Sequence, residues 1–288
     1  MKLLFVDNSD KKRLFFYLVN IFNFFALILT LFFTVDLFAA NLKDFLPGFK
    51  IEDKRRPATP DFAIKSVIGS LGYSDFSSVY KCTAVLVGNK HILTSAHCLI
   101  DPFTKQTRLP EYIFFLAGFY MEEYIASSKG SKVLISPDYD PLDENNINNA
   151  ANDWGLLILE KSLGEDLGFM KLPELNLNSF LLSRKGKSVF FQAGYSQDFL
   201  YIPTVNEPCT KVEYVVNPDA VIHSCYVLRG DSGSPIYYME DGKPVLIAIH
   251  SVTLTSIENE SEFKIGVAIP ADKIIKGLRK LNMWPLDK

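Results

Sequence analysis

Residues 62–270 form a succession of short apolar runs, each bounded by turn residues. The runs are "FAIKSVIGSL", "TAVLV", "HILTSA", "YIFFLAGF", "KVLIS", "WGLLIL", "SVFFQAGY", "KVEYVV", "PIYY", "VLIAIHSV" and "KIGVAIP". They are rich in Val, Ile, Phe and Tyr and too short for most helices, so they predict strands. No long helical pattern lies between them, which points to an all-β sandwich or barrel. One amphipathic helix is predicted at the end of the chain, over about 271–283. There "ADKIIKGLRKLNMW" sets Ile274, Ile275, Leu278 and Leu281 at helical spacing. The asparagine-rich "NNINNAAN" of residues 145–152 reads as a long loop.

The N-terminal part has another character. Lys11, Lys12 and Arg13 precede an almost wholly apolar run over residues 14–35, the n-region and h-region of an export signal. "VDLFAAN" offers Ala39 or Ala40 as cleavage points, with a large residue, Leu37 or Phe38, three positions before the cut. The alternative is an uncleaved anchor over residues 14–35. In both cases the rest of the chain lies outside the cytoplasm, secreted, periplasmic or held at the membrane by that segment alone. Residues 1–40 are therefore set apart from the fold. Residues 41–60 are polar and proline-punctuated, which predicts a linker or propeptide. Within them "DKRR" reads as a solvated charge run, because Pro57 after Arg56 disfavours cleavage there by a trypsin-like processing enzyme. Residues 61–288 remain for the folded domain, enough to bury a sizeable core. A net charge of -3 and a pI near 5.9 supply no basic field for nucleic acid.

In an oxidising compartment the four cysteines read as disulfide partners. Cys82 and Cys98 are sixteen residues apart, as are Cys209 and Cys225. Four cysteines allow three pairings, and spacing does not choose among them. A zinc site would want a CxxC pair or HExxH, and the chain has neither. No cofactor or metal is expected.

Three polar residues stand at strand ends in the order His97, Asp153, Ser232. Taken singly, each has an ordinary structural explanation. Together they supply a weak nucleophile, a base effective near neutral pH and a carboxylate able to fix the base's tautomer. An α/β-hydrolase would need G-x-S-x-G and the order Ser, Asp, His; this chain has Ser234 at the last elbow position and the reverse order.

"LTSAHC", "NDWGLLIL" and "GDSGSP" resemble the three signatures of chymotrypsin-fold (trypsin-like) serine peptidases, over roughly residues 60–275. The chain looks most like the bacterial secreted glutamyl-endopeptidase-like branch. Its cysteine in "SCYVLRGDSGSP" stands seven residues before the serine, Ser234 follows Gly233, and "AGYSQD" recurs in that branch. The resemblance implies two orthogonal six-stranded antiparallel β-barrels followed by the C-terminal helix. The first barrel would occupy about 61–170 and carry His97 and Asp153; the second, about 185–270, would carry Ser232. It also implies the bridges Cys82–Cys98 and Cys209–Cys225, and an oxyanion hole formed by the Gly230 and Ser232 amides. Asp231 resembles the buried carboxylate that supports this loop, often by pairing with a freed N-terminus. "SVIG" at 66–69 looks like such a start in some relatives and equally like a first strand.

In relatives the specificity pocket maps onto Tyr226, Val227, His250, Ser251, Val252 and Thr253. Tyr226 in place of an acid argues against cleavage after Arg or Lys. His250 stands where glutamate-specific relatives contact the substrate carboxylate, and as a strand histidine it equally suits a purely structural, hydrogen-bonded place. Val227 replaces a hydroxyl residue, and Thr253 a glycine, which narrows the pocket mouth. The expected activity is an exported serine endopeptidase acting as a monomer on protein or peptide substrates. The rival from another class is a catalytically silent protein of the same fold that binds a partner.

Overall fold

The computed structural model describes residues 53–73, 82–143, 146–185, 189–199, 201–209, 211–258 and 261–286. The segment read as an export signal or anchor lies outside the described residues. Among the described residues, no helix is long and apolar enough to cross a membrane.

The first half of the fold is a closed barrel. Its strands are β2 (Ile68–Tyr73), β3 (Cys82–Leu86), β4 (His91–Thr94), β5 (Ile113–Ala117), β6 (Ala126–Ile135) and β7 (Gly155–Leu159), paired in the order β2-β3-β4-β7-β6-β5. β5 shows the period that makes this possible: Ile113, Phe115 and Ala117 are buried, while Phe114 and Leu116 are half-buried. β3 and β4 are buried at every residue, because their outer faces meet the second half of the molecule. Ile68 is fully buried and pairs with Val85, so "SVIG" leads into the first barrel strand.

The second half is a curled sheet, a half-barrel, and with the closed barrel and the C-terminal helix it gives the expected chymotrypsin-like arrangement. It contains β1 (Arg56–Pro57), β8 (Phe190–Gly194), β9 (Thr204–Cys209), β10 (Val212–Val215), β11 (Ala220–His223), β12 (Pro235–Glu240), β13 (Lys243–Glu258) and β14 (Ser261–Pro270). The order β1-β9-β8-β12-β13-β14-β11-β10 explains the difference from the expected six strands. Six strands form the centre, and the edges are extended by β10, the hairpin partner of β11, and by β1 from the segment expected to be a linker. β1 pairs with β9 through Arg56↔Val205 and Pro57↔Thr204, and Ala58 donates to the Pro203 carbonyl at 2.8 Å.

The helix Ala271–Lys280 follows β14 directly and buries Ile274, Ile275 and Leu278. Its Gly277 faces Trp154 so closely that a Cβ there would lie 2.3 Å from the indole ring. Trp154 is 1% exposed and adjoins Asp153, so the helix seats the residue beside the carboxylate. Trp154→Ala would remove one of the largest buried side chains; a loss of about 3–5 kcal/mol is expected, measured by urea unfolding.

Candidate active site

His97 is placed by a sharp change of backbone. β4 ends at Thr94, and the chain enters a single 3-10 turn, Ala96–Leu99. Cys98 in that turn is disulfide-bonded to Cys82 at the head of β3; the second bridge is Cys209–Cys225. Both bridges are the local ones, and no free cysteine remains.

Asp153 is placed by the asparagine-rich stretch. A short helix, Ile147–Ala150, replaces part of the expected loop, and Asn146 caps it by accepting from the Asn148 amide. The Asn149 side chain donates to the Asp140 and Asp143 carbonyls and accepts from the Asp140 amide. The Asp153 amide then donates to the Ala150 carbonyl. The result is a carboxylate 2% exposed with three donors: the His97 amide at 2.9 Å, His97 Nδ1 at 2.6 Å and Ser251 Oγ at 2.6 Å. A carboxylate can only accept from Nδ1–H, which makes Nε2 the basic nitrogen of the neutral ring. The imidazole is 35% exposed.

Ser232 lies on a loop that only glycine permits. Gly230 has φ +98°, and a Cβ on it would lie 2.2 Å from the Tyr195 carbonyl oxygen. Thr83 of β3 fastens the loop to the first barrel. Its amide donates to the Ser232 carbonyl at 2.9 Å and its hydroxyl to the Gly230 carbonyl at 2.9 Å. Among the described residues, nothing accepts from the Gly230 or Ser232 amides. The Ser232 hydroxyl donates over 3.4 Å to the Ser251 carbonyl. Asp231, fully buried beneath the loop, accepts from the Leu228 amide at 2.8 Å, from Gln192 Nε2 at 3.3 Å and from the Ser196 hydroxyl.

Two cavities of about 370 Å³ each share His97, Arg229, Ser232 and Val252 in their walls. The first also includes Tyr73, Arg108, Asp153 and Gly230. The second is lined by Val227, His250, Ser251, Val252, Thr253 and Lys264 among others. Five of the six expected pocket residues are thus brought together, and Tyr226 is not among them. Its backbone is paired with the Asn206 side chain in both directions, and its ring lies under the Arg55 guanidinium, 4.6 Å away. His250 is 3% exposed and its Nδ1 lies 3.1 Å from Nε2 of the buried His223. Burial holds the His250 imidazole well below its ordinary range, and His223 and His97 add to that effect against Asp153.

Residues 65–277 match the family model named Trypsin. The chain belongs to the trypsin family. It is a serine endopeptidase by that membership. Solved structures similar to it include a Glu endopeptidase in complex with MPD, 14% identical, with TM-score 0.58, matching 80% of this chain and 97% of that one. Protease Anisep from Arthrobacter nicotinovorans is 13% identical, with TM-score 0.55, matching 78% of this chain and 98% of that one. A thermostable serine protease, AL20, from an extremophilic microorganism is 13% identical, with TM-score 0.56, matching 77% of this chain and 100% of that one. At such identities the likeness concerns the fold. No curated protein sequence matches the chain significantly.

Several residues at this trypsin-family cleft escaped sequence reasoning. Ser251 lines the second cavity, and its hydroxyl also donates to Asp153. Lys264 carried a readable signal, a lone cation at the head of the apolar run "KIGVAIP". Ser196 and Gln192, the partners of Asp231, carried none.

Burial pushes the Asp231 carboxyl up to about 6, against the Leu228 amide, Ser196, Arg55 and Gln192, which hold it down. Its folded pKa exceeds its unfolded value, so the folded state binds the extra proton between about pH 4 and pH 6, and stability falls as pH rises through that window. Asp231→Asn is expected to abolish this fall, worth up to about 3 kcal/mol. Denaturant unfolding of both proteins from pH 3.5 to 7.5 checks it.

Proposed function

We propose that the chain is an exported serine endopeptidase that hydrolyses peptide bonds through Ser232, His97 and Asp153. Ser232 Oγ attacks the scissile carbonyl carbon while its proton passes to His97 Nε2. The tetrahedral oxyanion is held by the Gly230 and Ser232 amides. Collapse expels the leaving amine, which takes the proton from His97 and leaves an acyl-serine. Water, deprotonated by His97, attacks the acyl carbon; its collapse releases the acid and returns the proton to Ser232. Asp153 holds the imidazole in the required tautomer and stabilises its cationic form.

The observation that carries this reading is the three-donor seat of Asp153, two of its donors from His97, in a cleft shared with Ser232. Export is supported by the basic and apolar N-terminal segment together with two disulfides. Full-length chain treated with a fluorophosphonate probe is expected to carry the adduct on Ser232 and to lose labelling in His97→Ala. Ser232→Ala is expected to reduce peptide turnover by about three or more powers of ten. Labelling equal in His97→Ala and wild type would contradict the assignment.

The preference at the substrate residue before the scissile bond is for Glu, or for small or uncharged residues, over Arg and Lys. Among the described residues, no carboxylate lines the second cavity, whereas His250 and Lys264 do. A peptide panel is expected to show this order; efficient cleavage only after Arg or Lys would reverse it.

A further inference from the structure

The stretch "DKRR" does not behave as a solvated run. The Arg55 side chain is 3% exposed. Its guanidinium spans two carboxylates, with Nε and Nη2 donating to Asp53 at 3.0 and 2.9 Å and Nη1 and Nη2 donating to Asp198 at 3.1 and 2.7 Å. The guanidinium also lies over the Tyr226 ring at 4.6 Å and, further off, the Phe199 ring at 5.9 Å. Burying a guanidinium costs several kcal/mol unless paired in this way. Arg56, by contrast, is half exposed and paired with an exposed Glu207.

We propose that Arg55 is a positioning residue for the nucleophile loop, bracing it from the N-terminal segment. The inference rests on the proposed role of Ser232. Arg55 grips two stretches at once. Asp198 belongs to the turn after β8, where Ser196 bonds Asp231 and the Gln197 amide donates to the Arg229 carbonyl at 2.7 Å. Tyr226 belongs to the extended segment between β11 and the loop, which runs into Leu228, whose amide also bonds Asp231. These two stretches flank Gly230, Asp231 and Ser232. β1 adds a second hold, because Pro57 pairs with Thr204, whose hydroxyl lies 3.2 Å from Ser196 Oγ. The described partners of Asp231 all come from the intact chain, and Ile68 is built into β2. With Arg55 as the brace, the competent form retains it, and the loop is ordered without a cut between Arg55 and β2.

The test uses full-length chain and reads the rate of fluorophosphonate labelling at Ser232, kcat and KM on a peptide substrate, and thermal melting. Arg55→Ala is expected to lower the labelling rate and kcat about 10-fold or more, with KM changed by less than about 3-fold, as a displaced but intact site would. Arg55→Lys and Asp198→Asn are expected to fall between Arg55→Ala and wild type. Millimolar guanidinium is expected to restore part of the labelling in Arg55→Ala, where the same concentration of sodium chloride does not. Arg56→Ala, on the same strand, is expected to stay within about 2-fold of wild type. The labelled wild-type protein is expected to retain Arg55 by mass spectrometry. The inference is overturned if folded Arg55→Ala labels at the wild-type rate, if its loss follows the unfolded fraction without guanidinium rescue, or if label appears only on chains cut after Arg55. A wild-type chain that takes no label at Ser232 defeats the proposed function and this inference together.

Discussion

Cys82 and Thr83, neighbours at the head of β3, hold the two halves of the cleft in register. The disulfide from Cys82 reaches the turn that carries His97, and the backbone and hydroxyl of Thr83 reach the loop that carries Ser232. Thr83 Oγ1 also accepts from the Tyr195 amide at 2.9 Å, so a single fully buried hydroxyl serves both sheets. Leaving such groups unmatched costs about 1–3 kcal/mol each. Ser95, whose hydroxyl donates to the His250 carbonyl at 2.9 Å, repeats the arrangement from β4. The cleft is therefore built on a polar seam, and its two walls cannot slide independently.

Two buried carboxylates occupy this seam with different partners. Asp153 and Asp231 each accept three hydrogen bonds, at 2% and 0% exposure. Asp153 has an imidazole as partner, which can take up positive charge when the proton moves. Asp231 has only neutral donors in contact and a guanidinium farther off, so burial dominates and its carboxyl is pushed upward. The first is suited to a changing charge, the second to fixing a backbone.

The strands and the C-terminal helix were legible because each depends on local pattern, alternation or turn chemistry, and His97, Asp153 and Ser232, picked out by local motifs, line one cleft. The disulfide pairing was not legible from spacing, since three connectivities were open. Val227 lines the second cavity while the Tyr226 backbone pairs with Asn206 and its ring lies under Arg55, a split between neighbours in an irregular segment that carries no periodic pattern. Arg55 was read as solvated because composition cannot reveal a carboxylate such as Asp198, which lies 143 residues later in the chain. The eighth strand was hidden for the same reason, since β1 is too short to have a pattern of its own.

The pairing of β1 with β9 also bears on the order of folding. A chain made from its N-terminus forward produces residues 53–58 long before Thr204 and Val205 exist, so the brace must wait for nearly the whole second sheet. Closing so long a loop is entropically expensive and is repaid only when the partner surface is formed. The closed barrel, whose strands all lie between Ile68 and Leu159, has no such dependence. A barrel holding the imidazole can thus assemble from contiguous chain, whereas the brace on the nucleophile loop requires residues far apart in sequence to meet.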